Sequence, residues 1–227
     1  MTDGDSIRLS KGVEFYEKGN LKYDGDLSNG KYLGNGKYIY ENGKYYKGQW
    51  LNGKKHGKGI LYYENGKIEY EGDFCNDKRE GNGKFIDKED NYYIGEWFND
   101  YKNGIGISYD KNGNILYKGN FVNDYYEGIG TYYYQNGDYY VGQWHKGTKN
   151  GNGIIYYKDG KIKYEGDFIN NKYEGNGKYF DEKGNYYIGE FLNGKPHGKG
   201  KQYDKKNKLK YNGYFINGKY IENSKNI

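Results

Sequence analysis

The chain has 227 residues with 36 basic and 31 acidic side chains, a formal net charge of +5, a mean hydropathy of −1.25 and 34% hydrophobic residues. Hydrophobicity this low ordinarily marks disorder, but a 20% aromatic content with 33 tyrosines excludes it, because a tyrosine ring buries apolar area while its hydroxyl still meets water. One cysteine, Cys75, excludes an internal disulfide framework and any Cys-based zinc site, and the mild charge permits an anionic partner without demanding one.

The opening MTDGDSIRLS has no apolar h-region, and no run approaches a membrane span, so a cytoplasmic protein is expected, with association at the cytoskeleton or the membrane periphery as its finer form. Residues 1–11 read as an N-terminal tail. Residues 12–22, GVEFYEKGNLK, read as the return strand of an incomplete first unit. From there Tyr-x-Gly-x-(Trp/Phe/Leu) recurs at Tyr23, Tyr46, Tyr70, Tyr93, Tyr117, Tyr140, Tyr164, Tyr187 and Tyr211, in alternating steps of 23 and 24 residues. A fixed period of this length is the signature of a repeat architecture. Eight units run from 23 to about 210, an incomplete unit covers 211–218, and 219–227 reads as a C-terminal tail.

Each unit reads as a hairpin. In YKGQW (46–50), Tyr46, Gly48 and Trp50 alternate with Lys47 and Gln49. A turn over Asn52–His56 follows, then a return strand over Gly57–Tyr63, and a second turn, Glu64–Lys67, leads onward. Gly is frequent and no 3.6-residue periodicity or capping signal appears, so helices are not expected. The Gly-x-Gly pairs, such as Gly57 and Gly59, place two bare positions on one face, and Trp50 opposite Gly57 would cover them. An opposite column of Ile39, Tyr62, Ile86, Tyr109, Tyr133, Tyr156, Phe180 and Tyr203 makes both faces partly aromatic. The expected fold is all-β, an elongated single-layer antiparallel sheet of tandem β-hairpins without helices.

Read in pairs, the true period is 47 residues. Trp50, Trp97, Trp144 and Phe191 fall in alternate hairpins, and YEGDF…EGNGK…NYYIGEW (70–97) returns as YEGDF…EGNGK…NYYIGEF (164–191). In several units the residue after the turn Asn is Asp77, Asp100, Asp124 or Asn171 in place of Gly, which predicts a changed turn type there.

The pattern Tyr-x-Gly-x-(Trp/Phe)-x-Asn-Gly-x-x-x-Gly-x-Gly, as in YKGQWLNGKKHGKG (46–59) and YIGEFLNGKPHGKG (187–200), resembles the MORN repeat over about residues 12–218. The resemblance implies an elongated, helix-free array of hairpins. In junctophilins, radial-spoke proteins, apicomplexan cytoskeletal scaffolds and plant phosphatidylinositol-phosphate kinases, such repeats serve as scaffolds, partner-binding grooves or membrane-proximal modules. Bacterial repeat proteins of antitoxin type look similar at YYENGKIEYEGDF (62–74) and stand as a further alternative.

No chemistry stands out. His56, His145 and His197 read as solvated turn residues, and Glu71, Asp73, Glu165 and Asp167 as sheet-face charges at repeat-equivalent positions; the glycines form no phosphate-binding loop. No enzyme, cofactor or metal is expected. The leading reading is a scaffold that grips a protein partner through Tyr46, Trp50, Tyr93, Trp97, Tyr140, Trp144, Tyr187 and Phe191, against the plainer one that these rings only cover glycines. The second is an anionic-phospholipid edge carried by Lys31, Lys54, Lys55, Lys78, Arg79, Lys102, Lys149, Lys172 and Lys195 on the first turns, against a merely solvated Lys-rich edge. Nucleic-acid binding ranks last, because acidic residues share the same strands. Edge strands at either end are candidates for homo-oligomeric pairing.

Overall fold

Nine first turns set the fold, each only two residues long with both residues at positive φ: 51° and 82° at Asn52–Gly53, 50° and 75° at Asn76–Asp77. This is the type I′ geometry whose twist matches the flanking strands. Asp77, Asp100, Asp124 and Asn171 adopt the same left-handed values as the glycines they replace, so the turn type does not change. Asn and Asp tolerate this region because a short polar side chain can bond locally.

The computed structural model describes residues 9–222, which fall into two compact units, one ending at Asn114 and the other beginning at Ile115. The first holds β1 (Ser10–Phe15), β2 (Leu21–Ser28), β3 (Lys31–Ile39), β4 (Tyr45–Leu51), β5 (Lys54–Tyr62), β6 (Ile68–Cys75), β7 (Lys78–Ile86), β8 (Tyr92–Phe98) and β9 (Tyr101–Tyr109). The second holds β10 (Ile115–Val122), β11 (Tyr125–Tyr133), β12 (Tyr139–His145), β13 (Thr148–Tyr156), β14 (Ile162–Ile169), β15 (Lys172–Phe180), β16 (Tyr186–Leu192), β17 (Lys195–Tyr203), β18 (Leu209–Ile216) and β19 (Lys219–Ile221). Within each unit every strand pairs antiparallel with the next, giving one open sheet; the described residues contain no helix. β1 reaches back to Ser10 and β19 covers 219–221, so strand extends into both segments read as tails, whose outer residues 1–8 and 223–227 lie outside the described ones.

The return strands start earlier than the sequence suggests. β5 begins at Lys54, so Lys54, Lys55 and His56 are strand residues rather than turn residues. The cause is a bulge: the register of β4 on β5 shifts between Gly48 and Trp50, which puts Trp50 opposite Lys55 and leaves two extra residues, Gly57 and Lys58, on the return strand. Trp50 faces Gly34 of the preceding strand, not Gly57. The two glycines of a pair therefore do different work. Gly57 has φ +65° and sits against Gln49, whereas Gly59 lies beneath the ring of Tyr46, where an added Cβ would collide.

One sequence position, holding Gln, Asp or Glu, caps these bulges. Gln49 Oε1 accepts from Lys58 N at 2.8 Å, Asp73 Oδ2 from Asn82 N at 3.0 Å and Asp26 Oδ2 from Asn35 N at 2.9 Å, with Gln143, Asp167 and Glu190 equivalent in the second unit. Asp73 and Asp167 are thus backbone acceptors and not idle face charges.

The core of each unit is a herringbone of rings on one face, called here the front. Tyr46 meets Trp50 edge-on at 5.2 Å and Phe74 at 5.1 Å, and Tyr70 meets Phe74 at 5.1 Å and Trp97 at 5.3 Å. In the second unit Tyr140, Phe168, Tyr164, Phe191 and Tyr187 continue in the same geometry. Edge-to-face contacts of this kind add to the area they bury.

Candidate functional site

The eight rings first assigned to a partner belong to this core. Tyr46, Trp50, Tyr93, Trp97, Tyr140, Trp144, Tyr187 and Phe191 are 0–6% exposed, so the structure places them out of a partner's direct reach. Their polar atoms are satisfied internally. The Tyr46 hydroxyl donates to Gln49 O at 2.9 Å and the Tyr93 hydroxyl to Glu96 O at 2.9 Å, while Trp97 Nε1 donates to Gly83 O at 3.2 Å. Burial pushes the phenols up, to about 12 for Tyr187 and further for Tyr46 and Tyr140.

A second layer covers the core tyrosines of all but one hairpin, and the sequence reading missed it. It comes from the second residue of each return strand. Tyr32, Tyr126 and Tyr173 stack on Tyr23, Tyr117 and Tyr164 at 3.8, 3.7 and 3.7 Å. In other hairpins the cap is a cation. Lys55 lies over Tyr46 at 5.8 Å and Phe74 at 5.5 Å, Lys102 over Tyr93 at 5.1 Å, and Lys149 over Tyr140 at 5.6 Å. Arg79 stacks on Trp97 at 4.3 Å and bonds Asp100 through Nε at 3.2 Å. Lys149 donates to the Tyr134 hydroxyl at 2.6 Å, and burial pushes its pKa down.

The nine basic residues therefore do not form one edge. Lys55, Arg79, Lys102 and Lys149 turn onto the front-face rings, whereas Lys31, Lys54, Lys78, Lys172 and Lys195, the first residues of their strands, are exposed. Lys78 and Lys172 donate to Asn99 and Asn193 at 2.9 and 3.0 Å.

The three histidines are strand residues. His56 and His197 are half-buried, each with Nδ1 enclosed and without a partner, and exposed His145 pairs with Glu127 at 3.0 Å. Cys75 is half-buried at the end of β6.

The reverse face carries what remains exposed. Stacked pairs Tyr45–Tyr62 and Tyr92–Tyr109 in the first unit, at 4.3 and 4.5 Å, match the predicted second aromatic column. Nearer the first turns, positions 47, 51, 54 and 58 of β4 and β5 hold Lys, Leu, Lys and Lys. The same positions of β8 and β9 hold Ile94, Phe98, Tyr101 and Ile105, which are 44–64% exposed. Four apolar side chains where the β4–β5 hairpin shows one make a hydrophobic patch, and in the second unit the same positions of β10–β11 hold three, Val122, Tyr125 and Ile129, at 45–59% exposed. Patches of this kind on an otherwise polar surface mark interaction sites.

A family model described as MORN repeat matches residues 23–45, 46–68, 70–90, 117–139, 140–162, 164–186 and 187–207, and one described as MORN repeat variant matches residues 102–123. Residues 91–101, which include Ile94, Phe98 and Tyr101, fall between these matches. No curated protein matches the chain.

Proposed function

The chain belongs to the MORN-repeat family, whose repeats commonly mediate protein or membrane-lipid interactions, and from that premise we propose that it is a non-catalytic cytoplasmic scaffold that docks a protein partner. The observation that carries this reading is the exposed patch of Ile94, Phe98, Tyr101 and Ile105 on the reverse face of β8–β9. Phe98 and Tyr101 are cross-strand neighbours, and both stand half-exposed. Large aromatic and aliphatic anchors grouped in one place are the usual source of interface energy. The repeat motif builds a sheet whose front face is largely filled by its own rings, and exposed apolar side chains on the reverse face supply the contact surface.

The test is proximity labelling in the native cell with the wild type and with Phe98→Asp/Ile105→Asp. Both changed residues point to solvent, so the variant keeps its β circular dichroism. Loss of a labelled partner supports the reading, and an unchanged partner set removes it.

A second reading, contact with an anionic membrane surface, is favoured by a different observation. In β14–β15, β16–β17 and β18–β19, exposed Ile169, Leu192 and Ile216 lie directly across from Lys172, Lys195 and Lys219. An apolar residue beside a cation, repeated about every 10 Å, suits shallow insertion between headgroups. Flotation with phosphatidylserine or phosphoinositide vesicles across a salt series tests it. Binding that falls with salt supports this reading, and no flotation at low salt refutes it.

A further inference from the structure

The cap on the core tyrosine is missing from one hairpin. At 47-residue steps the caps are Lys55, Lys102 and Lys149, and the fourth member of that series is Pro196, the only proline in the chain. Proline has neither the length to reach across Tyr187 nor a charge to place on it. Tyr187 is accordingly 5% exposed, where its counterparts Tyr46 and Tyr140 are 0% exposed. A cavity of about 450 Å³ opens on the front face of the second unit, lined by Tyr173, Tyr187, Phe191, Pro196, Phe215 and Asp181 among others.

The walls show what belongs there. In the equivalent places, Lys55 lies 5.9 Å from the ring of Tyr40, 5.8 Å from Tyr46 and 5.5 Å from Phe74. Lys149 lies 5.2 Å from Tyr134, 5.6 Å from Tyr140 and 6.0 Å from Phe168. The corresponding residues around Pro196 are Asp181, Tyr187 and Phe215. The two rings keep the cage, with centroids 4.8 Å apart at 78°, and a carboxylate stands where the third ring was. Asp181 is held in place by Asn185 and Lys183, whose N–H groups donate to it at 2.7–2.9 Å, and these bonds outweigh its desolvation and keep it ionised. Lys163 also borders the cavity, but its ammonium is paired with Asp138 at 2.8 Å. Of the two charged side chains that line the cavity, that leaves the Asp181 carboxylate to attract a cation, and ring faces add to that attraction.

We propose that this cavity is a receptor for one basic side chain, lysine or arginine, of a partner's segment, which takes the place of the missing lysine cap. The proposal deepens the scaffold reading and rests on it for the source of the side chain. The pocket itself can be tested without any partner.

The experiment titrates the isotope-labelled full chain with N-acetyl-lysine amide, N-acetyl-arginine amide and, as the neutral control, N-acetyl-norleucine amide, following backbone amide shifts at Gly194, Phe215 and Gly218. The expected result is a saturable shift with the lysine and arginine amides that is absent with norleucine. Pro196→Lys is expected to fill the cage from within, abolish the shift and raise Tm. Pro196→Ala leaves the cage empty and is expected to keep binding, so a folding defect in the lysine variant cannot pass for the effect. Absence of a saturable shift in the wild type, equal binding of norleucine amide, or binding retained by a folded Pro196→Lys would each overturn the proposal. Tighter binding of tetramethylammonium than of either basic amide would overturn the assignment to a partner's side chain. A failed titration leaves the β8–β9 patch standing, and a failed labelling experiment leaves the cage standing.

Discussion

Tyr70 shows why the repeated residue is tyrosine and not phenylalanine. Its ring is fully buried and lies across Gly83, while its hydroxyl donates to Asp73 O at 3.0 Å, on the strand facing the extra residues Gly81 and Asn82 of the bulge. One side chain thus covers bare backbone and holds a carbonyl of the strand that faces the bulge. Tyr70→Phe keeps the packing and loses the bond, which is expected to cost about 1 kcal/mol in urea unfolding. Gly83→Ala drives a methyl group into the same ring and is expected to cost roughly 1–3 kcal/mol. The larger loss should come from the glycine change; the reverse order would show that the hydroxyl, not the ring-over-glycine contact, sets the position. The contact itself was legible in the sequence, but its partner was not. Alternation along YKGQW pairs Trp50 with Gly57, and only the extra residues Gly57 and Lys58 in the return strand put Trp50 opposite Lys55 and leave Tyr46 as the ring over Gly59.

At the scale of the hairpin, the first turns are joined to one another. Gly53 N donates to Tyr32 O at 2.9 Å, Asp77 N to Lys55 O at 3.0 Å and Asp100 N to Arg79 O at 3.1 Å, each linking a turn to the preceding hairpin. Where Asp or Asn replaces Gly, its side chain returns a second bond: Lys55 N donates to Asp77 Oδ1 and Lys149 N to Asn171 Oδ1, both at 2.9 Å. Asp77→Ala loses that acceptor and keeps a strained left-handed backbone, at an expected cost of about 2 kcal/mol. Asp77→Gly relieves the strain and is expected to recover roughly half of it. Equal losses in thermal or urea unfolding would mean the inter-hairpin bond carries the whole effect. Period, hairpins and the 47-residue alternation could all be read from Asn-Gly spacing and the tryptophans. The strand starts could not, because Lys54–His56 look like turn chemistry until the bulge is known. The capping layer left a readable signal that went unused: nine residues after each motif tyrosine stands Tyr, Lys or Arg, and once Pro.

Taken as a whole, the molecule has a core made of phenols, and this ties its stability to alkaline pH. Burial pushes Tyr23 and Tyr187 up to about 12, and Tyr46, Tyr70 and Tyr164 are shifted in the same direction. A raised native pKa gives stability that is complete below the unfolded value near 10 and lost as pH climbs towards the native ones. Cooperative loss of β circular dichroism above pH ~10 is expected, with most tyrosinate absorbance appearing in the same transition. Core tyrosines that titrate near their free value in an intact fold would contradict the burial described here. The sequence could show that rings recur but not that a single sheet can bury them, since that depends on the herringbone and its caps. Function therefore moves from the repeated rings to residues that break the repeat. The most direct measurement is partner labelling in the native cell with Trp97→Phe beside Phe98→Asp, two adjacent residues on opposite faces. Phenylalanine is the natural occupant of the first position in the hairpin of Phe191, so Trp97→Phe should leave labelling unchanged while Phe98→Asp abolishes it. Labelling that is lost with Trp97→Phe and kept with Phe98→Asp would contradict the assignment of the reverse face as the docking surface.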